Sequence, residues 1–205
     1  MSRLIESICL NDGMFYRLPY HQARMDKTVR EIFHQINTIQ LKDVLNIQSY
    51  PTRGLFKCRI VYDTSIYSIE FLPYAITPVN SLKIVEGNTI DYAYKYADRS
   101  ALHQLYELRE GCDDIIIVKN ACLPDRQGLL SDSYYSNIIL YDGHHWITPA
   151  TPLLYGTMRQ ALLDDGKIKM ETIHLADIRL FKKVKLINAM LGLNGPELSI
   201  SQIVF

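Results

Sequence analysis

Several residues in this 205-residue sequence have types and spacings that could do chemistry. Arg24 follows His21 by three positions in a helical stretch. A guanidinium offers a phosphate a rigid two-donor fork and a charge that does not titrate away. Read alone, Arg24 is equally an exposed arginine on an amphipathic helix, and His21 a helix-start or packing residue. Gly156-Thr157-Met158 opens another predicted helix, just after Thr148-Pro149 and Thr151-Pro152. First-turn amides and the positive end of the helix dipole form an anion site there. A plain glycine–threonine cap would leave the same trace. Lys57 and Arg59 stand two apart on a predicted strand and so share one face, where two cations would meet substrate carboxylates. Solvent-facing charges on an edge strand give the same pattern. Lys95 alone reads as a surface lysine at a helix start, and Asp132 as a turn aspartate ahead of a strand. His144 and His145 are adjacent beside Trp146 and would point to opposite faces of a strand, so a turn or packing role is expected, not a metal site. No Gly-x-Ser-x-Gly string speaks for a serine hydrolase.

Taken in order, four segments resemble the class IV aminotransferase and lyase family, the fold-type IV pyridoxal 5'-phosphate enzymes. They are His21-Gln22-Ala23-Arg24, Lys95-Tyr96-Ala97-Asp98-Arg99, Asp132 through Asn137, and Tyr155-Gly156-Thr157-Met158-Arg159-Gln160. A fifth, Ile187-Asn188-Ala189-Met190, resembles the loop after the late strand of the lyases. The wording is most similar to 4-amino-4-deoxychorismate lyase, an enzyme of folate biosynthesis, with branched-chain and D-amino acid aminotransferases as cousins.

The resemblance implies a role for each position. Lys95 falls where the family attaches its cofactor covalently and then shuttles the substrate α-proton; burial and a nearby cation keep such an amine basic enough to act. Arg24 matches the phosphate-binding arginine. Gly156, Thr157 and Met158 match the amides on the other side of that phosphate, and Asn188 and Ala189 a further phosphate-side loop. Asp132, five residues before Asn137, stands where most members have a glutamate that keeps the pyridine nitrogen protonated. Its shorter stem implies a small shift of strand or cofactor, or a bridging water. Lys57 falls where branched-chain enzymes bind the substrate carboxylate. Two other departures are Asp98 in place of an asparagine, and Ala189 where aminotransferases often have a hydroxyl. Members usually carry extra residues before the segment resembling Leu4-Ile5-Glu6-Ser7-Ile8; here substrate recognition is expected to differ or to be completed by a second subunit. A homodimer is implied by resemblance.

The elements that must position these groups are legible from pattern. A hairpin over 3–10 and 14–17 turns at Asn11-Asp12-Gly13. A helix runs from about Pro19 to Gln35, with Ala23, Val29, Ile32 and Phe33 near one face. Strands are predicted over 55–63, 66–72, 82–86 and 115–118, a hairpin over 136–141 and 144–147, and strands over 167–173 and 183–189. Helices are predicted over 98–110, 156–164 and 175–181, the first two closed by Gly111 and Gly166. The pattern gives an α+β fold class with two lobes, and the resemblance implies the fold-type IV, D-amino acid aminotransferase-like form. A smaller lobe is expected over 1–86 and a larger cofactor-binding lobe over 87–205, with the join near Glu86-Gly87-Asn88.

Composition narrows the function classes. Lys+Arg and Asp+Glu both number 22, so there is no concentrated positive field for nucleic acid or an anionic membrane. Cys9, Cys58, Cys112 and Cys122 are far apart, as reduced thiols of a cytoplasmic protein would be. The N-terminus lacks a signal-like apolar run, and no window reaches membrane-spanning length. Within those bounds the resemblance implies a lyase that converts 4-amino-4-deoxychorismate to 4-aminobenzoate and pyruvate. The alternatives are an aminotransferase of branched-chain or D-amino acid type and a non-catalytic relative that binds the cofactor. Each takes a small amino-acid-like molecule, with neither nucleic acid nor membrane as partner.

Overall fold

The structure is a computed structural model that describes residues 3–120 and 128–205. Cys122 and the first two residues of the N-terminal reading lie outside the described residues. The chain divides into two compact units: one holds the residues up to Ile76 together with Tyr94–Asp98, the other Thr77–Ala93 and Arg99–Phe205.

In the first unit, β1 (Leu4–Asn11) and β2 (Met14–Phe15) fold back over Asp12 and Gly13, both in left-handed backbone (φ 48° and 78°). That is the geometry an Asp-Gly hairpin turn supplies at low cost. Then follow α1 (Leu18–Phe33), the short α2 (Leu41–Asn46), β3 (Leu55–Tyr62) and β4 (Ile66–Pro73). The sheet runs β2-β1-β3-β4 and is antiparallel throughout. Alternation sends Leu4, Ile8, Cys58, Ile60 and Tyr62 to one face, where they form a core with Met25 and Val29 of α1. The buried stripe of α1 is His21, Met25, Thr28 and Val29. Ala23, expected on that stripe, is exposed, being two residues and roughly half a turn away from both His21 and Met25.

Tyr94–Asp98 belongs to this unit because it lies along β1. The Ile5 amide donates to the Lys95 carbonyl at 2.9 Å and the Ala97 amide to the Arg3 carbonyl at 2.8 Å, flanking a bridge between Leu4 and Tyr96. Tyr94 and Tyr96 pack on the α1-side core.

The second unit contains β5 (Leu82–Glu86), α3 (Ser100–Glu107), β6 (Asp114–Lys119), β7 (Leu129–Leu130), β8 (Asn137–Tyr141), β9 (Trp146–Pro149), α4 (Thr157–Asp164), β10 (Lys169–Glu171), β11 (Lys183–Ile187), β12 (Glu197–Ser199) and β13 (Ile203–Val204). Two sheets result, β10-β9-β8-β11-β12 and β13-β5-β6-β7. Leu82, Ile116, Val118 and Leu130 of one share a core with Ile138, Leu140, Ile147, Val184 and Leu186 of the other. The predicted helix over 98–110 is shorter, ending at Glu107 and turning out through Gly111 (φ 84°). The one expected over 175–181 is a 3-10 helix, Leu175–Leu180.

The division differs from the expected 1–86 and 87–205. β5 pairs parallel with β6 from Leu82↔Asp114 to Glu86↔Val118 and so goes with the second unit, while Lys95 returns to the first through its backbone bond to β1. Among the described residues, no helix is long and apolar enough to cross a membrane.

Candidate active site

The first unit holds two of the expected groups on neighbouring residues of β1. Ile5 binds the backbone of Lys95, and Glu6 binds the side chain of Arg24. Tyr94 and Tyr96, on either side of Lys95, both pack on the α1-side core, and the Tyr96 amide donates to the Tyr94 carbonyl across Lys95 at 2.9 Å. Glu6 is fully buried, and its two oxygens accept from Arg24 Nε at 2.9 Å and Nη2 at 2.5 Å; His21 Nδ1 lies 2.5 Å from the second. Burial opposes the charge on Glu6, yet the Arg24 cation and the hydrogen bonds from His21 and Arg24 outweigh it and bring its pKa down to about 2. His21 is fully buried too, burial lowering its pKa against the pull of Glu6, and its Nδ1 is the ring nitrogen turned to the carboxylate. His21 is therefore a buried partner in a charged triad, more than the packing residue expected.

Lys57 and Arg59 do share a face of β3, opposite to that of Cys58 and Ile60. Arg59 stands across from Glu70 of β4 and pairs with it at 3.4 Å. Lys57 stands across from Cys9 and Leu72 and makes no ion pair among the described residues.

The second unit assembles the other expected group. Asp132 is buried, and each of its oxygens meets a donor: Asn137 Nδ2 reaches Oδ1 at 2.8 Å, and the Leu154 amide reaches Oδ2 at 2.9 Å. Burial raises its pKa to about 6 against those hydrogen bonds and the charge of Arg159. Asn137 Nδ2 also donates to the Leu154 carbonyl at 2.9 Å. The same asparagine meets Gly156, where an added β-carbon would fall 1.9 Å from its Oδ1. Gly156 is the N-cap of α4, in extended backbone and with no side chain to cap the helix; Thr157 follows, buried. Helix geometry gives the first-turn amides no acceptor within the helix, and no acidic side chain stands in that turn. Met158 is buried against Ile139, Leu162, Ile168 and Ile187, so only its backbone belongs to the expected phosphate loop.

Asn188 works as a turn organiser where β11 ends. Its Oδ1 accepts from the amides of Met190 (2.9 Å) and Leu191 (3.0 Å), and its Nδ2 donates to Ser136 Oγ at 3.0 Å. This explains why the strand expected to reach 189 stops at Ile187. Ala189 lies in that turn.

Among the described residues, sequence reasoning gave no role to the buried charges Glu6, Asp114 and Arg159, of which two organise the candidate site. One is Glu6, whose signal is a carboxylate at an alternating position between apolar Leu4 and Ile8. The other is Arg159, within the Thr-Met-Arg-Gln string and only 2% exposed. It donates to Thr148 Oγ1 at 3.1 Å and to the Pro149 carbonyl at 2.9 Å. With Ser131 Oγ on the Thr151 carbonyl and Asp132 and Asn137 on Leu154, it ties down the loop leading into α4. The His144 and His145 amides both donate to Asp142 Oδ1, which places the pair in the β8–β9 turn.

The donor chemistry fits an aldehyde-bearing, phosphorylated pyridine. In the first unit an arginine suits a phosphate and a primary amine suits the aldehyde; in the second, helix-start amides suit a phosphate and a buried carboxylate suits a protonated ring nitrogen. Gly156 has no side chain of its own to cap α4, and the Asn137 amide fills the space its β-carbon would take.

The amino-transferase class IV family matches residues 93–195. An uncharacterized protein of Haemophilus influenzae Rd is 34% identical over 196 residues, covering 94% of this chain and 100% of its own. A crystal structure from Haemophilus somnus 129PT, provisionally named a 4-amino-4-deoxychorismate lyase, superposes with a TM-score of 0.86 at 30% identity, covering 94% of this chain and 98% of its own. The fold is also that of a hypothetical aminotransferase from Mycobacterium tuberculosis in its PLP-bound form, with a TM-score of 0.68 at 13% identity over 98% of this chain and 81% of that one. With the family pattern spanning half of its length, the chain belongs to the class IV aminotransferases, pyridoxal 5'-phosphate enzymes of the two-lobed fold-type IV architecture.

Proposed function

We propose that this chain is a lyase that converts 4-amino-4-deoxychorismate into 4-aminobenzoate and pyruvate. The observation that carries this reading is the likeness along 94% of the chain, at 30% identity, to the protein that bears the lyase's provisional name. In this chain the lyase-like strings Gly156-Thr157-Met158-Arg159-Gln160 and Asn188-Ala189-Met190 coincide with the α4 entrance and the organised turn after β11.

When bound, pyridoxal phosphate supplies an electron sink for the carbanion that forms at the amine-bearing carbon. Lys95 takes the proton from that carbon. The ring C–O bond to the enolpyruvyl group then breaks, with the electron pair leaving on oxygen, and the departing enolate takes up a proton at its methylene carbon to become pyruvate. Aromatisation of the ring supplies much of the driving force. Arg24 and the Gly156–Thr157 entrance hold the phosphate, and Asp132, oriented by Asn137, keeps the ring nitrogen protonated. Lys57 binds a substrate carboxylate; Arg59 is given to Glu70 and contributes less. The protein acts as a homodimer in the cytoplasm, a compartment consistent with the free thiols Cys9, Cys58 and Cys112.

The test is a product assay with pyridoxal phosphate and 4-amino-4-deoxychorismate. Equal amounts of 4-aminobenzoate and pyruvate, lost in Lys95→Ala, are expected. A keto acid formed together with an amino-group transfer would instead identify an aminotransferase.

A further inference from the structure

We infer that Glu6 is a positioning residue for the cofactor phosphate: it fixes the guanidinium of Arg24 by one edge and so sets the direction in which that cation grips. This rests on the reading of Arg24 as the phosphate arginine. A fully buried carboxylate is a costly choice for a strand that packs on a helix. Leu4 and Ile8, on the same face of β1, show the apolar alternative. Replacing a buried ion pair with well-packed apolar residues is often neutral or stabilising, so stability alone is a poor reason for this charge. What the carboxylate does provide is geometry. Both of its oxygens are matched to the Nε–Nη2 edge of Arg24, the parallel two-bond arrangement that holds a guanidinium in a single plane. His21 braces the arrangement from the side, fully buried and 2.5 Å from Oε2. Arg24 is the member with surface left, its side chain 13% exposed while Glu6 and His21 have none. The triad is therefore a buried base with one cationic head, and a rigid head captures an anion without first losing rotamer freedom.

A glutamine at this position would keep the shape but offer Arg24 one acceptor and one donor, so the two-bond hold would be lost. An aspartate would keep the charge on a stem too short to span from β1 to the same edge. The prediction is thus specific to phosphate, and pyridoxal, which has the aldehyde and ring without the phosphate, separates it from a general loss of structure.

The experiment titrates the apoprotein of wild type, Glu6→Gln and Glu6→Asp with pyridoxal phosphate and with pyridoxal, following the visible absorbance of the bound forms. Inorganic phosphate serves as a competitor, and thermal melting runs alongside. Losing one charge-assisted hold should weaken pyridoxal phosphate roughly ten- to a hundredfold in Glu6→Gln, with Glu6→Asp between it and wild type. Pyridoxal affinity should stay within about twofold of wild type, and phosphate should compete less well. Glu6→Gln and Arg24→Gln should be non-additive on pyridoxal phosphate affinity, as expected of residues acting as a unit. Equal weakening of both ligands, or a lowered melting temperature with unchanged pyridoxal phosphate affinity, would show Glu6 to be structural only. If Arg24→Gln left pyridoxal phosphate affinity unchanged, the reading of Arg24 would fail first. If Glu6→Gln does not fold, Glu6→Asp decides by the same ratio of the two ligands.

Discussion

Gly156 and Asn137 are so close that the glycine cannot gain a side chain: a β-carbon on Gly156 would sit 1.9 Å from Asn137 Oδ1 and 3.1 Å from its Cγ. The backbone of Gly156 is ordinary extended chain, so the demand is steric and not conformational. Asn137 cannot easily yield, because its Nδ2 is bonded to both Asp132 and the Leu154 carbonyl. Gly156→Ala should therefore cost about 1–3 kcal/mol of stability, as forced overpacking does, and weaken cofactor binding by displacing the α4 entrance. In the background of Asn137→Ala the same change should cost much less. Denaturant unfolding of the two single variants and the double variant checks this; strict additivity would mean that the contact does not matter.

Arg159 should behave as a structural cation with a functional consequence. Its two bonds tie Thr148 and Pro149 to the first turn of α4, where cofactor phosphate is expected. Lysine keeps the charge but cannot reproduce the fork, so Arg159→Lys should lose about 1–3 kcal/mol, the usual range for a charged hydrogen bond removed from a buried site. Unfolding curves measure that loss. A parallel cofactor titration should show weaker binding, and a variant with unchanged stability would remove Arg159 from this role.

The two cations of β3 should separate in kinetics. Arg59 is paired across the strands with Glu70 in a half-exposed setting, an interaction worth less than about 1 kcal/mol. Arg59→Ala should thus leave KM nearly unchanged, while Lys57→Ala should raise KM several-fold with a smaller effect on kcat. Steady-state assays of both variants decide it; a larger KM effect at Arg59 would reverse the assignment.

What was legible in the sequence was local. Asn11-Asp12-Gly13 announced its hairpin because an Asp-Gly pair tolerates the left-handed backbone seen there. The alternating stretches 55–63 and 66–72 became β3 and β4 nearly to the residue. The six-residue α2 is too short to leave a periodic signal: Leu41 and Leu45 are buried, Val44 packs partly beside them, and its first amide is capped by Gln22 from another helix. The unit boundary was missed for a related reason. The parallel pairing of β5 with β6 spans some thirty residues, and the return of Lys95 to β1 rests on backbone bonds that leave no side-chain pattern. The site candidates came from motif order, whereas the buried charges that organise them, Glu6 and Arg159, needed the packing to be seen.

Two buried carboxylates should make stability depend on pH in opposite directions. Glu6 has its pKa lowered from 4.5 to about 2 by Arg24 and the hydrogen bonds of its partners, against the opposing effect of burial. Its stabilising contribution is present above the unfolded value near 4.5 and is lost as pH falls toward 2. Asp132 has its pKa raised from 3.8 to about 6 by burial. Its contribution is full below 3.8 and is lost as pH rises through 6, since ionising it inside the protein costs more than ionising it in the unfolded chain. Asp114, also raised by burial to about 6, acts in the same direction. Denaturant unfolding measured from pH 2 to pH 8 should show both limbs. Glu6→Gln should flatten the acid limb, which at about 1.4 kcal/mol per pH unit amounts to on the order of 3 kcal/mol across the full window. Asp132→Asn should reduce the decline between pH 4 and 6 without abolishing it, because Asp114 remains. An unchanged slope over that interval in Asp132→Asn would mean that Asp132 is solvated in the protein and not held in the buried network with Asn137 and Leu154.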